Sequence, residues 1–178
     1  LDLSGFDTSK VERMDNMFLG CSALQFLDLT NFKTENVANM GSMFKGCSAL
    51  TSLDVSSFVT SNNGNMNNMF YGCSGLTELN LSSFNTLNVT GMNSMFSGCE
   101  NLASLDLSTF DTANVTNMGG MFSGCKKLAT IKGIEKFDTA KVASMNSMFK
   151  ECAALTSVDV SKFDTQNVGS MEYMFYGC

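Results

Sequence analysis

Seven cysteines set the frame of this chain. Cys21, Cys47, Cys73, Cys99, Cys125, Cys152 and Cys178 follow one another at steps of 26 residues, with one step of 27 before Cys152. Other columns keep the same step: Phe6, Phe32, Phe58, Phe84, Phe110, Phe137 and Phe163; Met14, Met40, Met66, Met92, Met118, Met145 and Met171; and the pair Met17-Phe18 through to Met174-Phe175. Written from its first Leu, the unit is L-x-L-S-x-F-D-T-x-N-V-x-x-M-x-x-M-F-x-G-C-x-x-L-x-x. A period of this length means one supersecondary unit copied and stacked, because a single copy cannot bury its own apolar side.

Periodicity inside the unit predicts how each copy folds. Leu24-Gln25-Phe26-Leu27-Asp28-Leu29 ends in apolar/polar alternation, the pattern of a short strand with one buried face. Val37, Met40, Met43, Phe44 and Cys47 then follow at steps of 3, 3, 1 and 3, which predicts an apolar stripe on a helix of two to three turns. Thr34 or Asn36 is placed to cap the start of that helix. Gly46 stands where a left-handed residue would end it, and Gly recurs at this column except at Glu151. Phe32 falls in the bend between the two. Stacked strands pair in parallel at ~4.8 Å, so seven rungs would make a sheet roughly 30 Å across. If the helices pack farther apart than the strands, the stack curves with the sheet on its concave side. The ladders expected in the core are Leu27/Leu29, Phe32, Val37, Met40, Met43/Phe44, Cys47, Leu50 and their counterparts.

These residues carry a family resemblance. Leu24-x-x-Leu27-x-Leu29-x-x-Phe32 looks like the first part of a leucine-rich repeat, with Phe in the column that usually holds Asn. The longer string, with its F-D-T, M-x-x-M-F and G-C elements, resembles the 26-residue repeat of BspA-like leucine-rich-repeat bacterial surface proteins over the whole chain. The expected fold is therefore α/β: a leucine-rich-repeat-like right-handed solenoid of seven strand-turn-short-helix repeats sharing one parallel sheet. Residues 1–178 form a single repeat domain, expected to be a fragment of a longer array without end caps, since it opens on a strand Leu and stops at Gly177-Cys178. The resemblance implies an extracellular or cell-surface location and, for some members, adhesion to host or neighbouring-cell surface or matrix proteins; it implies no catalytic residue.

Composition narrows the function further. The chain has no His, which removes the commonest general acid/base and zinc ligand. Its net charge of −6 argues against nucleic acid, whose binders carry a basic face. No apolar run is long enough for a transmembrane segment, and no signal peptide is visible. No enzyme activity, cofactor or metal is expected.

The cysteines admit a metal site, a disulfide framework or a column of small buried thiols, and the unbroken column without C-x-x-C pairs favours buried thiols. The Met columns, sharing a stripe with Val and Phe, are core. Asp-Thr pairs such as Asp7-Thr8 and Asp111-Thr112 suit turns and caps rather than acid chemistry. Asp28, Asp54, Asp106 and Asp159, with Asp2 and Asn80, occupy the outward position between the strand leucines, where stacked like charges must be relieved by flanking hydroxyls and water or by Ca²⁺ or a cationic partner. The candidate binding surface is this outward strand face: Phe26, Asp28, Thr30, Ser52, Asp54, Glu78, Asn80, Ser104, Asp106, Lys132 and Asp159. A basic patch in the sixth unit, Lys126, Lys127, Lys132, Lys136 and Lys141 with Lys150 nearby, is a second candidate, for an anionic glycan or acidic partner. Two rungs depart from the consensus. Ser61-Asn62-Asn63-Gly64 replaces x-Asn-Val-x in the third, predicting the weakest helix start and the most mobile rung. Ile131-Lys132-Gly133-Ile134 carries the extra residue in the sixth, predicting a bulged strand. The leading function is an extracellular adhesive scaffold; the alternative is a passive structural spacer presenting another domain.

Overall fold

A computed structural model describes residues 1–178. It is a stack of seven rungs, tied in register by single parallel bridges from Arg13 to Asn39, Asn65, Gly91, Asn117, Ser144 and Ser170. One continuous apolar core of 48 buried residues runs through it. Every ladder expected in the core is there: Leu27, Leu29, Phe32, Val37, Met40, Met43, Phe44, Cys47 and Leu50 are all buried, as are their counterparts in the middle rungs. The M-F phenylalanines stack from Phe18 to Phe175 with ring centroids 5.5–5.8 Å apart and planes within 10°. Such contacts add about 0.5–1.5 kcal/mol each beyond burial.

The expected helices do not form. The M-x-x-M-F segment is a train of turns, because two residues four positions apart in each rung adopt left-handed backbone. One is Asn16, Ser42, Asn68, Ser94, Gly120, Ser147 or Tyr173, at φ of 54–62°; the other is the Gly46 column, in which Glu151 also takes φ 59°. Along this train of turns every second N–H is aimed at the neighbouring rung. Met40, Ser42, Phe44 and Gly46 therefore donate to the carbonyls of Asn65, Asn67, Met69 and Tyr71 in the next rung, at 2.7–3.1 Å. The residues between them close turns within the rung: Met43, Lys45, Cys47 and Leu50 donate to Met40, Ser42, Phe44 and Cys47. The apolar step of three is thus the step of these turns. Small polar residues and Gly hold the left-handed positions because they tolerate that conformation best.

The single seven-stranded sheet is also replaced. The L-x-L arc forms one two-stranded parallel sheet, β1 (Ser104–Asp106) with β2 (Thr130–Lys132), in register Leu105 to Ile131. In the second to fourth rungs the two apolar residues of this arc still point inward, but the rungs are joined chiefly along the turn arc. The premise for a sheet on the concave side, helices spacing the rungs apart, is absent. The sixth rung's extra residue does not bulge the strand. It is taken up just after β2, where Gly133 at φ 90° leads into a 3₁₀ turn, Ile134–Lys136, and Ile134 is buried. A Cβ on Gly133 would lie 2.6 Å from Leu107 C and Ser108 N, so this crossing admits only Gly.

Thr34 and Asn36 cap nothing; both bridge rungs. Thr34, buried, donates its hydroxyl to the Val59 carbonyl at 3.1 Å and accepts the Val59 N–H at 2.8 Å. Thr8, Thr60 and Thr86 make the same double bond to Lys33, Asn85 and Asp111. The Asn36 amide donates back to Ser9 O at 2.9 Å, and Asn62, Asn88, Asn114 and Asn167 repeat this. These two polar columns, read from sequence as caps, are the polar clamps of the stack.

Candidate functional site

The L-x-L arc presents the candidate binding residues. Burial of alternate leucines forces the residues between them outward, and Phe26, Asp28, Thr30, Ser52, Asp54, Glu78, Asn80, Ser104, Asp106, Lys132 and Asp159 are all exposed. Six of them, Ser52, Asp54, Glu78, Asn80, Ser104 and Asp106, line one open depression of about 490 Å³ floored by Leu53 and Leu79. Asp28 and Thr30 line another of about 330 Å³ with the first residues of the chain. Phe26, Lys132 and Asp159 stand outside both.

The Asp column is relieved by hydrogen bonds within each rung. Asp28, Asp54, Asp106 and Asp159 each accept the backbone N–H two residues on at 2.9–3.0 Å, from Thr30, Ser56, Ser108 and Ser161. Thr30 and Ser108 add their hydroxyls to Asp28 and Asp106. These bonds favour the ionised carboxylate and hold it below its ordinary range, outweighing the repulsion of Asp54 on Asp28. Asn80 makes the same turn bond to Ser82 without the charge. Asp106 is depressed most, because Lys132 from the next rung reaches it at 2.7 Å. No three acidic, Cys or His groups converge to hold a metal ion. Asp7, Asp111, Asp138 and Asp164, before the Thr column, make turn bonds of the same kind.

The basic patch is shared with the rung below it. Lys126 pairs with Glu100 at 3.0 Å, Lys132 with Asp106, and Lys141, replacing the clamp Asn, donates to Asn114 Oδ1 at 2.7 Å. Lys127 and Lys136 are exposed and carry no ion pair. Exposed pairs of this sort add little stability, so their effect is to hold two lysines flat against the fifth rung.

All seven cysteines are free thiols. Cys47, Cys73, Cys99, Cys125 and Cys152 are buried, and each donates its S–H to the carbonyl of the M-F phenylalanine one rung back, at 3.1–3.2 Å. Burial pushes Cys47 up to about 11 and Cys73 and Cys152 up to about 12, so they are neither nucleophiles nor metal ligands near neutrality.

The class defined by this geometry is a solenoid repeat protein whose near-identical interior columns pack rung on rung and whose individuality lies on its outer arcs. The chain belongs to the family described as Mycoplasma protein of unknown function, DUF285, which matches residues 1–104 and 90–178. No curated protein matches it. It is similar to solved structures of a leucine rich cell surface protein from Faecalibacterium prausnitzii A2-165 (19% identity, TM-score 0.47, 80% of this chain and 42% of that one) and a leucine-rich repeat protein from Eubacterium ventriosum ATCC 27560 (20%, 0.49, 80% and 41%). A third is the leucine rich repeat protein of T. pallidum (17%, 0.47, 88% and 78%). The chain spans about two-fifths of the length of the first two.

Proposed function

We propose that this chain is a non-enzymatic repeat scaffold displayed at the cell surface, where its L-x-L face adheres to a surface or matrix protein of a host or neighbouring cell. The observation that carries this is the row of eleven exposed side chains on one face of a stack whose interior barely varies. Along that row the outward residue changes from Asp28 and Asp54 to Asn80, Asp106 and Lys132, while the Leu, Val and Ile beside it stay buried. A rigid frame with a variable outer row is how solenoids build extended binding surfaces. The face is poor in the Trp, Tyr and Arg that concentrate binding energy, so each contact is modest and display in many copies supplies the avidity.

The test is adhesion of the chain, immobilised at graded density, to cells and matrix-coated surfaces. Asp54→Lys with Glu78→Lys should abolish it, and halving the density should lower it more than twofold. Adhesion that tolerates these changes but is lost on deleting whole rungs would instead identify a spacer. The unbroken run of inter-rung hydrogen bonds from Arg13 to Ser170 favours that reading.

A further inference from the structure

The turn arc, away from the leucine face, carries the chain's remaining chemical variety. Its outward column, the residue before the Gly46 column, runs Leu19, Lys45, Tyr71, Ser97, Ser123, Lys150, Tyr176. Successive members are fixed side by side, since Gly46, Gly72, Gly98, Gly124 and Glu151 donate at 2.7 Å to the carbonyls of the next member in turn. The chain has three tyrosines, Tyr71, Tyr173 and Tyr176, and all three lie on this arc, exposed by 40%, 62% and 59%. Each has a lysine over its ring: Lys45 at 4.8 Å from Tyr71, and Lys150 at 5.9 and 5.8 Å from Tyr173 and Tyr176. Such contacts hold the rings in place. Tyr173 occupies the left-handed column that Asn, Ser and Gly fill elsewhere, an unfavourable conformation for a large side chain.

Between the two Lys–Tyr groups lies a trough of about 290 Å³ with no apolar and no charged side chain in its lining. Ser94, Ser97, Ser123 and Ser147 line it with hydroxyls that bond to no other group of the protein, beside the amides of Asn117 and Asn146. Gly119 and Gly120 keep it open: a Cβ would stand 2.5 Å from Asn146 Oδ1 at the first and 3.0 Å from Ser94 Oγ at the second. Tyr71 and Tyr176 are four rungs apart, and the phenylalanine rings stacked beneath those rungs lie 5.5–5.8 Å from one to the next.

We propose that this arc binds a neutral oligosaccharide, its sugar faces resting on the tyrosines and its hydroxyls bonded in the Asn/Ser trough. Aromatic rings supply apolar contact with a polar tip, and neutral amides and hydroxyls match sugar hydroxyls in both directions. A polyanion fits less well, because the chain carries −6 and Glu151 lies 4.0 Å from Lys150. A peptide would find no apolar pocket in the trough for an anchoring side chain. The assignment rests on the scaffold reading above but uses a different face.

Because the chain has no Trp, its tyrosine fluorescence reports from this arc alone. Cellohexaose, chitohexaose and mannohexaose are titrated in, with a hexamer of galacturonic acid as the anionic comparator, while amide shifts are followed in parallel. The expected result is a saturating fluorescence change with at least one neutral hexasaccharide, and shifts centred on Ser94, Ser97, Gly120, Ser123 and Ser147. Tyr71→Ser with Tyr176→Ser, both exposed, should weaken binding about tenfold or more, and Gly120→Asn, which that backbone accepts, should weaken it by narrowing the trough. No saturable response to any neutral hexasaccharide, an equal response to the galacturonate hexamer, or shifts confined to the leucine face overturns the proposal. If adhesion persists while the saccharide response is absent, the site alone fails; if both are absent, the scaffold reading fails with it.

Discussion

Replacing Asn63 by valine, the residue at this column in the other six rungs, should stabilise the chain. Asn63 is fully buried, and its Nδ2 is the one buried side-chain nitrogen or oxygen without a hydrogen-bond partner. Its Oδ1 does accept the Asn65 N–H at 3.1 Å. An unsatisfied buried polar group costs about 1–3 kcal/mol, whereas an ordinary hydrogen bond contributes about 0.5–1.5 kcal/mol. Valine removes the first and forfeits the second, while Val37 and Val89 on either side already form an apolar shelf around it. The net gain should be about 0.5–1.5 kcal/mol, or roughly 1–6 °C in Tm for a chain of this size. The helix start that this rung was expected to weaken does not exist, so any softness must come from this amide. Urea denaturation measures the gain, and amide exchange at Asn65–Tyr71 tests its location. Unchanged or lowered stability, or exchange that slows equally in all rungs, would refute the reasoning.

The thiols give a second expectation: at pH 8 a thiol reagent should label Cys21 and Cys178 in the folded chain and spare the five buried cysteines until denaturant is added. Because burial raises those five above the unfolded value of 9.0, the unfolded chain loses its protons first; the thiols' contribution to stability should be level below about pH 9 and fall between pH 9 and 12, read by denaturation at stepped pH. Lys132→Ser should let the Asp106 carboxyl rise toward the values of Asp54 and Asp159, followed by NMR titration; no movement would mean that Lys132 does not hold it. Gly133→Ala should cost about 3 kcal/mol or more, through both its left-handed φ and the clash with Leu107 and Ser108, and a loss under about 1 kcal/mol would contradict that crossing.

The polar columns show how far a sequence reading carries a candidate site. The exposure of Asp28, Asp54 and Asp106 was legible, because alternation with buried leucines leaves one direction open to them. Which of them share a depression was not, since that depends on how adjacent rungs are offset. The Lys–Tyr groups on the turn arc were missed altogether. Tyr71 and Tyr176 are 105 positions apart in the chain, and Lys45 and Tyr71 meet only when rungs align. The signal available was that every tyrosine falls within an M-x-x-M-F-x-G segment, and it acquires meaning only once that segment is known to face outward between the buried Met and Phe.

The 26-residue period therefore determined, by itself, that the chain stacks and which columns it buries: repetition guarantees each Leu, Val, Met, Phe and Cys a copy of itself to pack against. It did not determine the local shape of the unit. An apolar step of three serves a helical stripe and a train of turns equally well. The choice is made by where each N–H finds its carbonyl, four residues back in a helix or about 25 residues ahead in the next rung. Here the left-handed Ser42 and Gly46 send theirs ahead, to Asn67 and Tyr71, so only the tertiary stack could decide between the two.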